Sequence, residues 1–249
     1  MERTGNRAFD AARDMKIEPG YASHGASVIF HMGNTIVHCS ASLEEGTPRF
    51  VEEGCGWVTA EYSLMPSSTQ TRARRERSRV GGRTMEIQRL IGRSLRSIIR
   101  FDQLGERTIT LDCDVLRADG GTRCASISGA YIALEIVLRQ LEQNGLLRVE
   151  DVLRSEVAAI SLGIVEGQTL LDLEYIEDSQ ADVDLNLVMT GSGKLIEIQG
   201  TAEKDPFSFE ALNEMLALGQ KGIQEILSVG RAFLDSYEIP KRDMGARDE

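Results

Sequence analysis

Residues 119–123, Asp-Gly-Gly-Thr-Arg, bring together the residue types that bind oxyanions. They follow a stretch, 108–115, in which Ile109, Leu111, Cys113 and Val115 fall on one face and Thr110, Asp112 and Asp114 on the other, the alternation of a half-buried strand. After them, Ala125, Ala130, Leu134, Val137, Leu138 and Leu141 recur near helical spacing until Asn144-Gly145, a helix C-terminal signal. A strand, two glycines and a helix in that order leave unpaired N–H groups at the positive end of a helix dipole, where anions bind. Glycine lets the backbone approach a phosphate, Thr122 and Ser126 offer hydroxyls, and Arg123 adds a permanently charged planar fork. The plainer alternative is a tight turn followed by a solvated arginine, because a glycine pair before a helix is common.

Carboxylates form a second constellation. Glu177, Asp178, Asp182 and Asp184 lie within the run EDSQADVD, and Asp182 and Asp184, two apart, share a face if they lie on a strand. Paired carboxylates suit Mg²⁺, which takes hard oxygen ligands and keeps several waters. A solvated acidic loop is the alternative, and it is the expected state of Glu177 and Asp182.

Charge is distributed unevenly. The net charge is −11, yet between residues 72 and 100 ten arginines face only Glu76 and Glu86, so that segment carries +8 and the rest −19. Attraction to phosphates is local and screened beyond about 8–10 Å, so a basic segment on an acidic body suits selective nucleic-acid docking. Residues 72–79, RARRERSR, have no apolar periodicity and read as a loop or interface arm. In the helix expected behind them, over 82–100, Ile87, Leu90, Ile91, Leu95 and Ile98 form an apolar stripe, and Arg89, Arg93, Arg96 and Arg100 a basic one nearly opposite. Arg72, Arg74, Arg75, Arg77, Arg89, Arg93 and Arg96 are the candidate nucleic-acid contacts.

These groups need a scaffold, and 249 residues allow one large or two small domains with a real core. Strands are expected at 27–31 and 35–41 around the turn Met32-Gly33-Asn34, at 56–64, and at 170–175, 183–189 and 195–199. Residues 152–162 read as a short helix running into a strand, 209–227 as a long amphipathic helix, and 1–20 as a poorly packed arm with a short strand near 15–18. GNTIVHCSAS at 33–42 and GQTLLDLEYI at 167–176 echo one another faintly, as two related halves would. No apolar run approaches the roughly 20 residues of a membrane helix, and the charged N-terminus has no secretory apolar core, so a cytoplasmic protein without a membrane partner is expected. Cys39, Cys55, Cys113 and Cys124 contain no CxxC pair and read as buried thiols, and His24, His31 and His38, spaced seven apart, are given no metal role. The anion pocket also lacks the lysine-bearing glycine loop of P-loop nucleotidases.

Several long motifs, in the same order, resemble those of the ribonuclease PH family of phosphate-dependent exoribonucleases. They are GWVTAEYSLMP (56–66), GRTMEIQRLIGRSLR (82–96), CDVLRADGGTRCAS (113–126), DLEYIEDSQADVDLNLVMTGSG (172–193) and IEIQGTAE (196–203), and the likeness covers about 15–227. It implies an α+β ribonuclease PH fold of two βαβα-like halves forming one domain over 1–240, with a charged tail at 241–249. The resemblance makes Arg83, in the matching Gly-Arg-Thr, a phosphate ligand beside Gly121, Thr122, Arg123 and Ser126. It makes Asp178 and Asp184 Mg²⁺ ligands and proton-transfer groups, and Arg123 a catalytic residue. The implied reaction is attack by inorganic phosphate, the co-substrate, on the last phosphodiester of a tRNA precursor, reversibly releasing a nucleoside diphosphate. A homohexamer built as a trimer of dimers is implied as well. The competing reading is a non-catalytic RNA-binding ring subunit of an exosome-like assembly, which the joint presence of the phosphate ligands and both aspartates disfavours. Departures from the family pattern are Asn6 between Gly5 and Arg7, Ala12 and Asp14 in the arm, Ser67 where arginine is usual, and Cys124 where threonine is frequent.

Overall fold

The computed structural model describes residues 3–76 and 80–241. Arg77 and the tail from residue 242 onward therefore lie outside the described residues. Alternation decides the first sheet. On β3 (Thr35–Glu45) the side chains of Thr35, Val37, Cys39 and Ala41 are buried, and β5 (Arg107–Arg117) buries Ile109, Leu111, Cys113 and Val115 in the same way. With β1 (Met15–Pro19), β2 (Ser27–Met32) and β4 (Trp57–Leu64) they make a five-stranded sheet ordered β1-β2-β3-β5-β4. Only β4 and β5 run parallel, which requires a crossover; α1 (Gly82–Arg96) and the short α2 (Phe101–Leu104) provide it.

The second half is β6 (Val157–Val165), β7 (Gln168–Leu171), β8 (Val183–Thr190) and β9 (Leu195–Ala202), an antiparallel sheet ordered β7-β6-β8-β9. Between the sheets runs α3 (Thr122–Gln143), buried at every residue from 124 to 138, as a helix apolar on all sides must be. It packs on β2, β3 and β5 with one side and on β6 with the other. The bare backbone of Gly129 admits Cys39 and Phe30, and the Ser128 hydroxyl accepts from the Ala159 N–H at 3.1 Å. By length and composition α3 alone could cross a membrane; its enclosure between two sheets marks it as a core helix among the described residues. Short α4 (Val149–Val152) leads into β6. The last helix, α6 (Phe209–Ser236), is capped by Ser208 and lies on β6 and β7, where Gly219 and Gly222 let Leu187, Ile160 and Leu171 come close. One continuous hydrophobic core runs through both halves.

The α+β class with two sheet-and-helix halves is as expected, but several boundaries are not. Helix α1 ends at Arg96, short of Arg100, and α6 runs nine residues beyond the expected end at 227, to Ser236, because Gly230 and Leu234 still face the core. The strand expected over 170–175 stops at Leu171. Chain reversal follows at Asp172, whose φ is 56°, and then comes a one-turn helix, α5 (Tyr175–Asp178), closed by reciprocal caps between Glu174 and Glu177.

The largest correction concerns the N-terminal arm, which is tightly held. Arg3 gives Nε to Glu177 Oε1 at 2.6 Å and Nη2 to Oε2 at 2.9 Å, and Arg7 reaches the same carboxylate at 3.1 Å. Both also donate to the carbonyls of Leu171 and Asp172. Asn6, the extra residue, adopts φ 56° after Gly5 at φ 67°, a left-handed pair that turns the chain and lets Arg3 and Arg7 converge. Glu177, expected in solvent, is fully buried, and guanidinium bonds fasten the arm ahead of the apolar contacts of Ala12, Met15 and Ile17.

Burial alone would push the Glu177 carboxyl up, but the Arg3 hydrogen bond and the Arg3 and Arg7 charges hold it below its ordinary 4.5. Such a group stabilises fully above its unfolded-state pKa, and the contribution is lost as pH falls through the lower folded value. Replacing Glu177→Gln leaves a buried and a half-buried cation without their anion and should cost about 3 kcal/mol or more in urea unfolding at neutral pH. The gap between variant and wild type should narrow on acidification below pH 4.5, where the wild type loses the same interaction.

Candidate active site

Both halves contribute to a cleft of about 1260 Å³ at the N-terminus of α3. Its wall includes Tyr62, Arg72, Arg83, residues 118–123, Tyr175, Asp178, Asp184, Asn186 and Glu203. Strand β4 carries Tyr62 to the cleft, the first turn of α1 carries Arg83, α5 ends in Asp178, and β8 places Asp184 opposite Gly163 and Thr201.

Gly120 and Gly121 lie at φ 77° and 64°, a left-handed pair that residues with a Cβ avoid, immediately before Thr122 opens the helix. Among the described residues the N–H groups of Gly120, Gly121, Thr122 and Arg123 have no protein acceptor. A concave set of free N–H groups at a helix start is an anion nest. Beside it the Thr122 hydroxyl meets the Tyr62 hydroxyl at 3.0 Å, an aromatic partner absent from the residues that the sequence put forward for the site. Burial raises the Tyr62 pKa, so its phenol stays protonated and can donate. The Arg123 guanidinium spans the rim, donating to Gln199 Oε1 at 2.5 Å and pairing with Glu86 at 3.4 Å.

Ser126 occupies a different place from the other expected phosphate ligands. It is buried one turn into α3, gives its hydroxyl to the Thr122 carbonyl at 2.8 Å, and does not face the cleft. Cys124 likewise points inward, with its thiol on Asn186 Oδ1 at 3.2 Å and its pKa raised by burial.

Across the cleft stand the carboxylates. Burial, then the neighbouring Asp178 charge, push Asp184 up to about 6 against the pull of Arg123. Burial also raises Asp178, partly offset by Arg83 and Arg123. Two adjacent carboxylates facing free volume are hard oxygen donors of the kind Mg²⁺ takes, although among the described residues no group of three or more His, Cys, Asp or Glu could cage a metal. Asp182 stays at the surface, paired with Lys204 at 2.5 Å.

The basic stripe is broken up. Arg72 lines the cleft, and Arg74, Arg75 and Arg89 are exposed. Arg93 is exposed yet paired with Glu197 at 2.8 Å. Arg96 lies over the Trp57 ring, 4.9 Å from its centre, and donates to the Val58 carbonyl, while Arg100 is bound to the carbonyls of Glu150 and Asp151. These last two arginines tie α1 and its following turn to the body, a role that needs β4 and α4 beside them and has no trace in helical spacing.

Comparison with known proteins gives the family. The models of the 3′ exoribonuclease family match the chain at residues 11–139 for domain 1 and 155–222 for domain 2. Ribonuclease PH of Syntrophomonas wolfei is 52% identical over 238 residues, covering 94% of this chain and 99% of that protein. Ribonuclease PH of Neisseria meningitidis is 54% identical over 226 residues, covering 89% and 93%. Among solved structures, rice Rrp46 superposes with a TM-score of 0.74 over 93% of this chain and all of that one. An Archaeoglobus fulgidus exosome with RNA bound to the active site superposes at 0.76 over 91% and 92%; both are 19% identical, a likeness of fold alone. By the span of both family models and by relatives identical at more than half of the aligned positions, the chain belongs to the ribonuclease PH family of 3′ exoribonucleases.

Proposed function

We propose that the cleft shortens RNA from the 3′ end by phosphorolysis, with inorganic phosphate as co-substrate. The observation that carries this reading is that an anion nest and a carboxylate pair face one another across a single cleft. Phosphate bound to the N–H groups of Gly121, Thr122 and Arg123, with Arg83 and the Arg123 side chain neutralising its charge, is positioned for in-line attack on the terminal phosphodiester. One phosphate oxygen forms a bond to phosphorus as the bond to the 3′ oxygen breaks, and the departing nucleotide leaves as a diphosphate. The 3′ oxygen needs a proton, and Asp184 and Asp178 are the acids on the facing wall. No protein nucleophile takes part, and the same contacts serve the reverse addition of nucleotides.

Magnesium suits Asp178 and Asp184 as ligands, and when bound it supplies charge neutralisation at the transferring phosphoryl group. A tRNA precursor is the proposed substrate, since relatives of this chain carry the name ribonuclease PH and the loop at 72–76 adds positive charge at the cleft mouth. The exosome neighbours support assembly of several copies, which we extend to a homohexamer made as a trimer of dimers. A cytoplasmic setting, where thiols stay reduced, suits the four free cysteines.

Two substitutions separate the parts of this account. Arg123→Ala should lower phosphate-dependent diphosphate release by about 10²-fold or more while tRNA affinity changes little; equal loss of both would remove Arg123 from the anion pocket. Reversal of Arg74 and Arg75 to Glu should weaken tRNA binding and flatten its salt dependence by roughly 0.7–0.9 per lost phosphate contact, with turnover of a short oligonucleotide nearly unchanged. Equal damage to both substrates would assign that loop to subunit contacts.

A further inference from the structure

We infer that Arg13 and Thr35 are positioning residues that aim the anion nest, a role that rests on the phosphate site proposed above. In a trans peptide the C=O and N–H groups point in opposite directions. Holding a carbonyl on one side of the chain therefore directs the next N–H to the other.

Two carbonyls behind the glycine turn are held in this way. Arg13 Nη1 donates to the Asp119 carbonyl at 2.5 Å, and Nη2 reaches the Gly120 carbonyl at 3.5 Å. The Thr35 hydroxyl donates to the same Gly120 carbonyl at 2.6 Å and accepts from the Asp119 N–H at 3.0 Å. Across those two peptide planes lie the N–H groups of Gly120 and Gly121, which have no protein acceptor among the described residues and belong to the cleft wall. Arg13 and Thr35 do not line that wall.

The guanidinium is itself locked. Asp172 receives Nη2 on Oδ1 at 2.6 Å, Nε on Oδ2 at 2.9 Å and the Arg13 N–H on Oδ2 at 2.8 Å. Both side chains are almost fully buried, at 6% and 0% exposure, which leaves water little part in loosening the pair. Asp172 in turn donates its N–H to the Ser161 carbonyl of β6 at 2.8 Å. The stem of Arg13 passes over Gly33, where a Cβ would come within 2.6 Å of Cδ, so that hairpin glycine makes room for it. Arg13 thus joins the N-terminal arm, the α3 turn and the second half of the fold through one planar group whose five donors have fixed directions. A lysine would keep the charge and lose the two-sided fork.

The test compares Arg13→Lys and Thr35→Val with wild-type protein, reading kcat and KM for inorganic phosphate on a tRNA with a short 3′ extension, tRNA affinity, and the thermal midpoint. Each variant should raise the phosphate KM by about five- to tenfold, the scale of one hydrogen bond, with kcat at saturating phosphate and tRNA affinity within about twofold of wild type. Thr35→Val keeps the side-chain shape and carries the test alone should Arg13→Lys not fold. An unchanged phosphate KM in both variants, with wild type using phosphate normally, overturns the positioning role by itself. A tRNA affinity that falls in step with the phosphate KM also overturns it, as general loosening. A wild type that shows no dependence on phosphate overturns the phosphate site, and this role with it.

Discussion

A helix cannot satisfy its own first N–H groups, and in this protein that constraint is placed where two sheets meet. Because α3 is enclosed on all sides, its N-terminus has to emerge at the seam between the halves, and the left-handed glycines at 120 and 121 turn the chain there without a side chain in the way. An anion would complete what the fold leaves open. The rest of the site follows from that seam: β4 and α1 bring Tyr62 and Arg83 from the first half, and α5 and β8 bring Asp178 and Asp184 from the second. The arginines of the cleft wall thus come from one half and the aspartate pair from the other.

The electrostatics of the cleft depend on keeping opposite signs close but unfused. Arg123 is engaged with Glu86 and Gln199 at the rim, and Asp182 is neutralised by Lys204, while Asp178 and Asp184 keep free volume in front of them. Burial and mutual repulsion make this carboxylate pair costly, and buried ion pairs elsewhere in the same loop, between Glu177 and Arg3 and between Asp172 and Arg13, hold its backbone in place. The carboxyl of Asp178 is thus preceded, one and six residues before it in the chain, by the satisfied ion pairs of Glu177 and Asp172.

Local chemistry was legible in the sequence, and long-range pairing was not. The run Asp-Gly-Gly-Thr-Arg between an alternating strand and an apolar helix carries the residue types of an anion site, although a plain tight turn reads the same locally, and the strands of the first sheet follow from period-two burial. By contrast, Arg3, Arg7 and Arg13 bind carboxylates more than 150 residues away, and no periodicity in a charged arm points to them. Arg96 continued a basic stripe on paper; its neighbour Trp57 on β4, invisible to helical spacing, makes it a packing residue. Glu177 and Asp178 are adjacent acids in one short loop, yet one is locked in an ion pair and the other faces the cleft, a division set by which way a single turn of helix points them. Ser126 shows the reverse error: a hydroxyl near the helix start, plausible as a ligand, is turned inward to its own helix.

The most direct test of the account is to supply ³²P-labelled inorganic phosphate during trimming of a tRNA with a short 3′ extension and to analyse the released nucleotides. Attack by phosphate held at the α3 N-terminus predicts that the label appears in the β-phosphate of nucleoside diphosphates. Unlabelled nucleoside monophosphates, released at the same rate with and without phosphate, would mean that water is the attacking group and would contradict it.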